Sequence, residues 1–224
     1  WVDGNKKKKA DWNQVDGASE FSGNQTYLTC ESKATGTLRL KNSEHYKNIN
    51  ITTELMGNAI GKQGIYLRAD KELKEYLSVA IENEELVIQT GGDKMLYREP
   101  LAEVGDGSQY ELNQPADHKL FLTLNGNKLT VNVDGVQKIK DMEVPVKEKG
   151  YVYLQSGWGG KAYSQRNLAD DVYDGVFKNV KITQIAESEE EIILYDNMLH
   201  GTEKVFTDVK NFWDKLVDLF IDTF

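Results

Sequence analysis

The sequence predicts an all-β fold, a two-sheet antiparallel jelly-roll sandwich, followed by an amphipathic helix at the C-terminus. Three observations predict this fold class. Short runs alternate between apolar and polar residues, turn-forming pairs separate these runs, and helical patterns are scarce before residue 187. About a dozen short strands joined by tight turns are typical of a two-sheet sandwich.

Four runs show the alternation most clearly, with apolar residues at every second position. They span residues 49–55, 77–81, 120–124 and 129–133. A period of two with one apolar face indicates strands that are half-buried against a core. Asn125-Gly126 and Asp134-Gly135 lie between such runs, and each pair predicts a hairpin with a type I′ turn, in which both central residues take a positive φ.

The chain divides into two parts, a sandwich over residues 1–186 and a linker with an amphipathic helix over residues 187–224. Thr202 is a candidate N-cap for the helix. Its apolar stripe consists of Val205, Val209, Phe212, Trp213, Leu216, Val217, Phe220 and Phe224. Such a stripe must be buried, and three partners stay open: the sandwich, another copy of the chain, and a neighbouring domain of a longer polypeptide.

The composition of the chain limits which ligands and which cellular locations we expect. The formal net charge is -9, so phosphate backbones would repel the chain, and we expect no nucleic-acid ligand. No apolar stretch has the length of a transmembrane segment. Cys30 is the single cysteine and lies in an alternating run, where we expect a buried strand residue. A chain that begins with Trp1 agrees with removal of a leader, so we expect an extracellular or cell-surface protein.

Two stretches carry a family resemblance, Gly64-Ile65-Tyr66-Leu67-Arg68 and the strand-like runs 128–135, 150–154 and 177–182. Over residues 12–185 the chain resembles the concanavalin-A-like lectin and glucanase fold. It is similar in particular to the bacterial 3-keto-disaccharide hydrolase and glycosyl hydrolase family, and to laminin-G-like modules. The resemblance implies that Glu54 and Arg68 face a concave sheet on which a sugar would lie.

Sugar sites need an aromatic platform for the apolar face of the ring and planar polar groups for its hydroxyls. The segment 151–163 offers Trp158 and Tyr163 as platforms and Gln155 as a polar group, and Tyr66 lies next to Arg68 in the other stretch. For Trp158 the alternative is a core residue at the rim of the sandwich. For Arg68 the alternative is a cross-strand ion pair with Glu54.

A glycosidase would need two nearby carboxylates, which jelly-roll glucanases supply from a Glu-x-Asp-x-x-Glu strand. No Glu-x-Asp occurs in this chain. The nearest cluster, Glu82, Glu84 and Glu85, is interpreted as a solvated hairpin turn. Glu54 is therefore the one catalytic candidate, and catalysis by the glucanase route is disfavoured.

Asp170, Asp171 and Asp174 cluster before the last predicted strand of the sandwich. Oxygen ligands of this kind can hold a structural Ca²⁺, and an exposed acidic loop is the alternative. No cofactor is expected otherwise. Three functions remain open: a glycan-binding module of a larger secreted carbohydrate-active protein, a hydrolase of glycosidic or keto-sugar substrates, and a laminin-G-like adhesion module.

Overall fold

In a computed structural model, which describes residues 11–31, 35–101, 115–158, 172–185 and 192–197, the chain forms fifteen strands in two antiparallel sheets. The predicted two-sheet sandwich is confirmed. The predicted C-terminal helix, Tyr163, Asp170 and Asp171 lie outside the described residues. Within the described part of the chain, no helix has the length and apolar character needed to span a membrane.

One sheet, called sheet A here, contains seven strands in the order β1-β4-β13-β6-β7-β8-β9. Its strands are β1 (Trp12–Asp16), β4 (Gly36–Leu40), β6 (Gly61–Ala69), β7 (Leu77–Glu82), β8 (Glu85–Thr90), β9 (Lys94–Pro100) and β13 (Tyr151–Trp158). Every neighbouring pair in this order runs antiparallel.

The facing sheet, called sheet B here, has the order β12-β11-β10-β5-β14-β3-β2, with β15 also paired to β14. Its strands are β2 (Ala18–Ser22), β3 (Gln25–Glu31), β5 (Ile49–Asn58), β10 (Pro115–Asn125), β11 (Lys128–Val133), β12 (Val136–Glu143), β14 (Val172–Gln184) and β15 (Ile192–Asp196). As predicted, Cys30 is buried in β3.

The core lies between the two sheets and is built from the inward positions of the alternating strands. Ile51 and Leu122 face it from sheet B, and Ile65 and Ile88 face it from sheet A. All four side chains are inaccessible to solvent or nearly so. The alternation of apolar and polar residues therefore determines where these strands form and which face of each strand is buried.

The two predicted hairpins form, but their turns differ. Asp134 and Gly135 are the central residues between β11 and β12, and both have positive φ, as a type I′ turn requires. Between β10 and β11, Asn125 pairs with Lys128, so the central residues are Gly126 and Asn127. Only Gly126 has positive φ there. The predicted type I′ turn at Asn125-Gly126 is therefore wrong in its register by one residue.

Candidate functional site

Arg68 occupies a β-bulge at the end of β6. Tyr151 pairs with Ala69 and Tyr153 pairs with Tyr66, so one residue of β13 faces two residues of β6. Arg68 itself has a φ of 47°, the left-handed region that is costly for a residue with a Cβ. The bulge redirects the side chain away from the regular alternation of the strand.

The Arg68 guanidinium ties two loops together at this end of the sandwich. Nη1 donates to the Lys147 carbonyl at 2.8 Å, and Nη2 donates to the Lys47 carbonyl at 3.0 Å. Burial lowers the pKa of the guanidinium, and the nearby Glu148 carboxylate partly offsets this effect. Arg68 is therefore a positioning residue for the loops around it, whose backbone carbonyls it satisfies.

A cavity of about 410 Å³ adjoins these loops, and it is called the Arg68 cavity here. Its wall consists of Arg68, Lys74, Glu75, Tyr76, Thr90, Gly91, Pro145, Val146 and Lys147. Cavities of about 300 to 1,000 Å³ with a few convergent polar groups are typical of small-ligand sites.

Tyr76 supplies the aromatic wall of the Arg68 cavity. Its ring packs on the ring of Tyr66, with centroids 4.9 Å apart and an interplanar angle of 60°. Its hydroxyl donates to Asp93 Oδ1 at 2.8 Å. Burial raises the pKa of the Tyr76 phenol, and the hydrogen bond to Asp93 raises it further. The ring is therefore held in place from one side and stays uncharged at neutral pH.

Charged side chains also line the Arg68 cavity. Lys147 forms an ion pair with Glu75, and both side chains are more than half exposed. The pKa of the Lys147 ammonium is raised, chiefly by its hydrogen bond to Glu75. An exposed pair of this kind contributes little to stability, so both groups are available to exchange partners with a ligand.

Tyr66 and Gln155 come together on the outer face of sheet A, but they bond to each other. The Tyr66 hydroxyl donates to Gln155 Oε1 at 2.5 Å, and Gln155 Nε2 donates to Thr37 Oγ1 at 3.2 Å. Tyr66 is only 5% exposed. Its role in the described structure is to support Tyr76 from beneath.

Trp158 does not stand out from the end of β13. Its ring packs against Tyr173 of sheet B, with centroids 5.1 Å apart, and the indole Nε1 is buried without a hydrogen-bond partner. Its position is that of a core residue at the rim, the alternative offered by the sequence. Tyr163, the other predicted platform, lies outside the described residues.

Glu54 lies on the opposite sheet, on the outer face of β5. Its carboxylate accepts a hydrogen bond from Asn179 at 2.9 Å and pairs with Lys178 at 3.2 Å. These two contacts lower the pKa of Glu54. The expected shared face with Arg68, and the alternative ion pair between them, are both absent because the two residues belong to different sheets.

The lowered pKa of Glu54 argues against a role as general acid. A general acid for glycoside cleavage needs a raised pKa, so that it still carries a proton at neutral pH. Glu54 shows the opposite shift. An ionised carboxylate in this setting suits hydrogen-bond acceptance better than proton donation.

Asp174 lies in β14, where its Oδ1 accepts a hydrogen bond from Thr29 Oγ1 at 2.5 Å. Its predicted calcium partners, Asp170 and Asp171, lie outside the described residues. Among the residues that the structure describes, no group of three or more His, Cys, Asp or Glu side chains is arranged to hold a metal ion. Calcium binding therefore stays a prediction.

The turn between β7 and β8 is not solvated, contrary to the interpretation from sequence. Glu82 is only 8% exposed. It and Glu85 face each other across the hairpin, and both reach Arg98 of β9, at 3.8 and 2.6 Å respectively. Arg98 lies thirteen residues beyond Glu85, and no local sequence pattern predicts this contact.

Glu84, in the same turn, contacts His118 of sheet B. His118 Nε2 lies 3.2 Å from the Glu84 carboxylate, and Nδ1 lies 2.7 Å from Asp134 Oδ2. Burial alone would lower the pKa of His118, but the two carboxylates outweigh it and raise the pKa to about 9. The imidazolium thus links the β7–β8 turn of sheet A to the β11–β12 turn of sheet B.

No protein-family model matches the chain, and no curated protein matches it. Solved structures do. The carbohydrate-binding module CBM66 from Bacillus subtilis has a TM-score of 0.56 and 13% identity, with 77% of this chain and 94% of that chain covered.

Two further structures have the same architecture. The carbohydrate recognition domain of Emp46p, in its metal-free form, has a TM-score of 0.53 and 13% identity, covering 80% of this chain and 91% of that one. A native glycosidic hydrolase has a TM-score of 0.52 and 13% identity, covering 75% of this chain and 88% of that one. At such identities the likeness establishes the fold alone. The chain therefore has a concanavalin-A-like sandwich fold, as the resemblance implied.

Proposed function

We propose that the protein is a carbohydrate-binding module and that a sugar ring occupies the Arg68 cavity. One observation carries this proposal: an aromatic wall, Tyr76, stands in a 410 Å³ cavity together with hydroxyl, ammonium and carboxylate groups. That combination matches the chemistry of a pyranose, which has an apolar face and a rim of hydroxyls.

Each wall of the cavity has a distinct role in this proposal. The Tyr76 ring packs on the C–H face of the sugar. The Thr90 hydroxyl and the Lys74 ammonium contact sugar hydroxyls, and the Glu75–Lys147 pair offers one acceptor and one donor at the mouth. Arg68 acts indirectly, because its two terminal nitrogens already bond to loop carbonyls and hold the cavity wall in place.

The fold supports the proposal without deciding it. A carbohydrate-binding module and a carbohydrate recognition domain are among the solved structures that share this architecture. We further propose that the module is extracellular or at the cell surface and belongs to a larger carbohydrate-active protein. Both statements rest on analogy with such modules.

A glycan-array screen followed by titration tests the proposal. Wild type is compared with Tyr76→Ala, which removes the platform, and with Tyr76→Phe, which keeps the ring. Tyr27→Ala, on β3 of sheet B, is the matched control for the loss of a half-buried tyrosine. We expect Tyr76→Ala to weaken binding by about 1 to 2 kcal/mol, or roughly five- to thirtyfold, because stacking is lost.

Tyr76→Phe and Tyr27→Ala are expected to bind like wild type. Equal weakening by Tyr27→Ala would place the sugar elsewhere. Binding to no glycan on the array would overturn the proposal and would favour the adhesion module, whose ligand is a protein.

A glycosidic-bond hydrolase is the second candidate, favoured by the Glu82–Glu85 pair. Both carboxylates reach the same guanidinium, that of Arg98, at 3.8 and 2.6 Å, so they are neighbours, and glycosidases use a pair of neighbouring carboxyl groups. Release of reducing sugar ends by wild type, lost in both Glu82→Gln and Glu85→Gln, would establish this activity. Activity retained in both variants would exclude this pair from the chemistry.

A further inference from the structure

The outer face of sheet B contains an apolar groove that the sugar site does not use. One row of residues crosses five strands of this face, and consecutive members are paired in register: Asn132, Phe121, Thr52, Lys181 and Asp196. A cavity of about 330 Å³ lies over this row. It is called the Phe121 groove here.

Phe121 is the central feature of the groove, and it is 38% exposed. The exposed part of its ring keeps apolar area in water, so an apolar occupant that covered it would gain free energy. Its cross-strand neighbours, Thr52 and Asn132, are too small to cover the ring. The groove therefore has the properties of a docking surface for an apolar side chain.

Charged side chains of both signs surround the groove. Lys119 and Lys181 line it directly, and Lys178 stands beside Glu54 at one edge. Glu54 and Asp196 are the two acidic residues that line it. The two lysines and two carboxylates that line it suit an occupant that carries side chains of both signs.

We propose that residues 201–224 of this chain dock as an amphipathic helix in the Phe121 groove. This segment carries five acidic residues and three lysines, so it brings side chains of both signs to the rim. Its apolar residues recur at spacings of three and four, which places Val209, Phe212 and Trp213 on one helical face. That face provides what the groove lacks, a cover for Phe121.

The connection favours the chain's own segment over a second molecule. Asp196, which lines the groove, is the last residue of β15. The predicted helix cap, Thr202, follows Asn197 by five residues, a tether that reaches about 16 Å when extended. So short a tether gives the segment a high effective concentration at the groove.

The first experiment is photo-crosslinking of the full chain with a benzophenone amino acid at position 121. The larger aromatic group keeps the character of Phe121, so the variant is suited to fold. We expect a crosslink within one chain, to peptides from residues 201–224. Crosslinks between two chains, or none to this segment, would overturn the proposal.

Hydrogen exchange gives a second, independent readout. Amides of residues 205–217 should be protected in wild type, and Phe121→Asp should speed their exchange by about tenfold or more. Val15→Asp is the control, because Val15 is also exposed but lies in sheet A. Unchanged protection in Phe121→Asp, or equal loss in both variants, would contradict docking in this groove.

Discussion

The contact between His118 and its two carboxylates predicts an unusual dependence of stability on pH. His118→Gln removes an imidazolium that is 12% exposed and leaves Glu84 and Asp134 without their shared cation. Both carboxylates belong to turn residues with positive φ, at 59° and 53°, so their backbone is already strained. The cation therefore stabilises two turns whose strained backbone contributes little to the free energy of folding by itself.

The magnitude follows from the pKa shift. The pKa of His118 rises from 6.5 to about 9 on folding, and each unit corresponds to about 1.4 kcal/mol, so the group contributes roughly 3 kcal/mol. Because the folded pKa is the higher one, this contribution is fully present below pH 6.5 and is lost as pH rises through about 9. At pH 7.5 roughly 2 kcal/mol should remain.

Urea unfolding at pH 6, 7.5 and 10 tests this prediction. The quantity of interest is the difference in free energy of unfolding between wild type and His118→Gln, which should fall from roughly 3 kcal/mol to near zero over that range. His45→Gln is the control, since the His45 side chain is 74% exposed and its replacement should cost little stability. A flat difference for His118→Gln as well would refute the reasoning.

Three further predictions concern the fold around the candidate site. Arg68→Met should lower the free energy of unfolding by about 3 kcal/mol in urea titrations, because two loop carbonyls lose the charged donor that binds them both. Gly61→Ala should cost about 2 kcal/mol, because its Cβ would lie 2.2 Å from the Tyr173 hydroxyl, and its urea midpoint should fall accordingly. Trp158→Phe should leave the dissociation constant for any bound glycan unchanged, since the ring faces Tyr173 between the sheets.

The strands were predictable from sequence because their signals are local. Alternation over residues 49–55 and 120–124 depends only on which side chains fall at every second position, and both runs form strands paired with each other. The Asp134-Gly135 hairpin was predictable for the same reason, since the turn type follows from two adjacent residues.

The candidate site was only partly predictable, because its geometry depends on the β-bulge at Arg68. Strict alternation would place Arg68 on the same face as Tyr66, but the extra residue in β6 turns Arg68 toward the end-loops. Glu54, which was expected to share a face with Arg68, belongs to the other sheet. The short separation of the two residues along the chain does not reveal this. Tyr76 was overlooked because a tyrosine beside a lysine-rich turn has no distinctive local pattern.

The charged clusters were missed for a different reason. His118 lies 34 residues from Glu84 and 16 from Asp134, and only the packing of two sheets brings the three together. Glu82 and Glu85 looked solvated because hairpin turns usually are. Their burial depends on Arg98 reaching across from the next strand.

The central claim, that a sugar occupies the Arg68 cavity, is tested most directly by mapping the binding of an array-selected glycan with NMR chemical-shift titration. We expect the largest amide shifts at Tyr76, Thr90 and Gly91, which line the cavity, and small shifts at Thr52 and Asn132 on the opposite sheet. Saturable shifts confined to the Phe121 groove would contradict this account and would assign the sugar to sheet B.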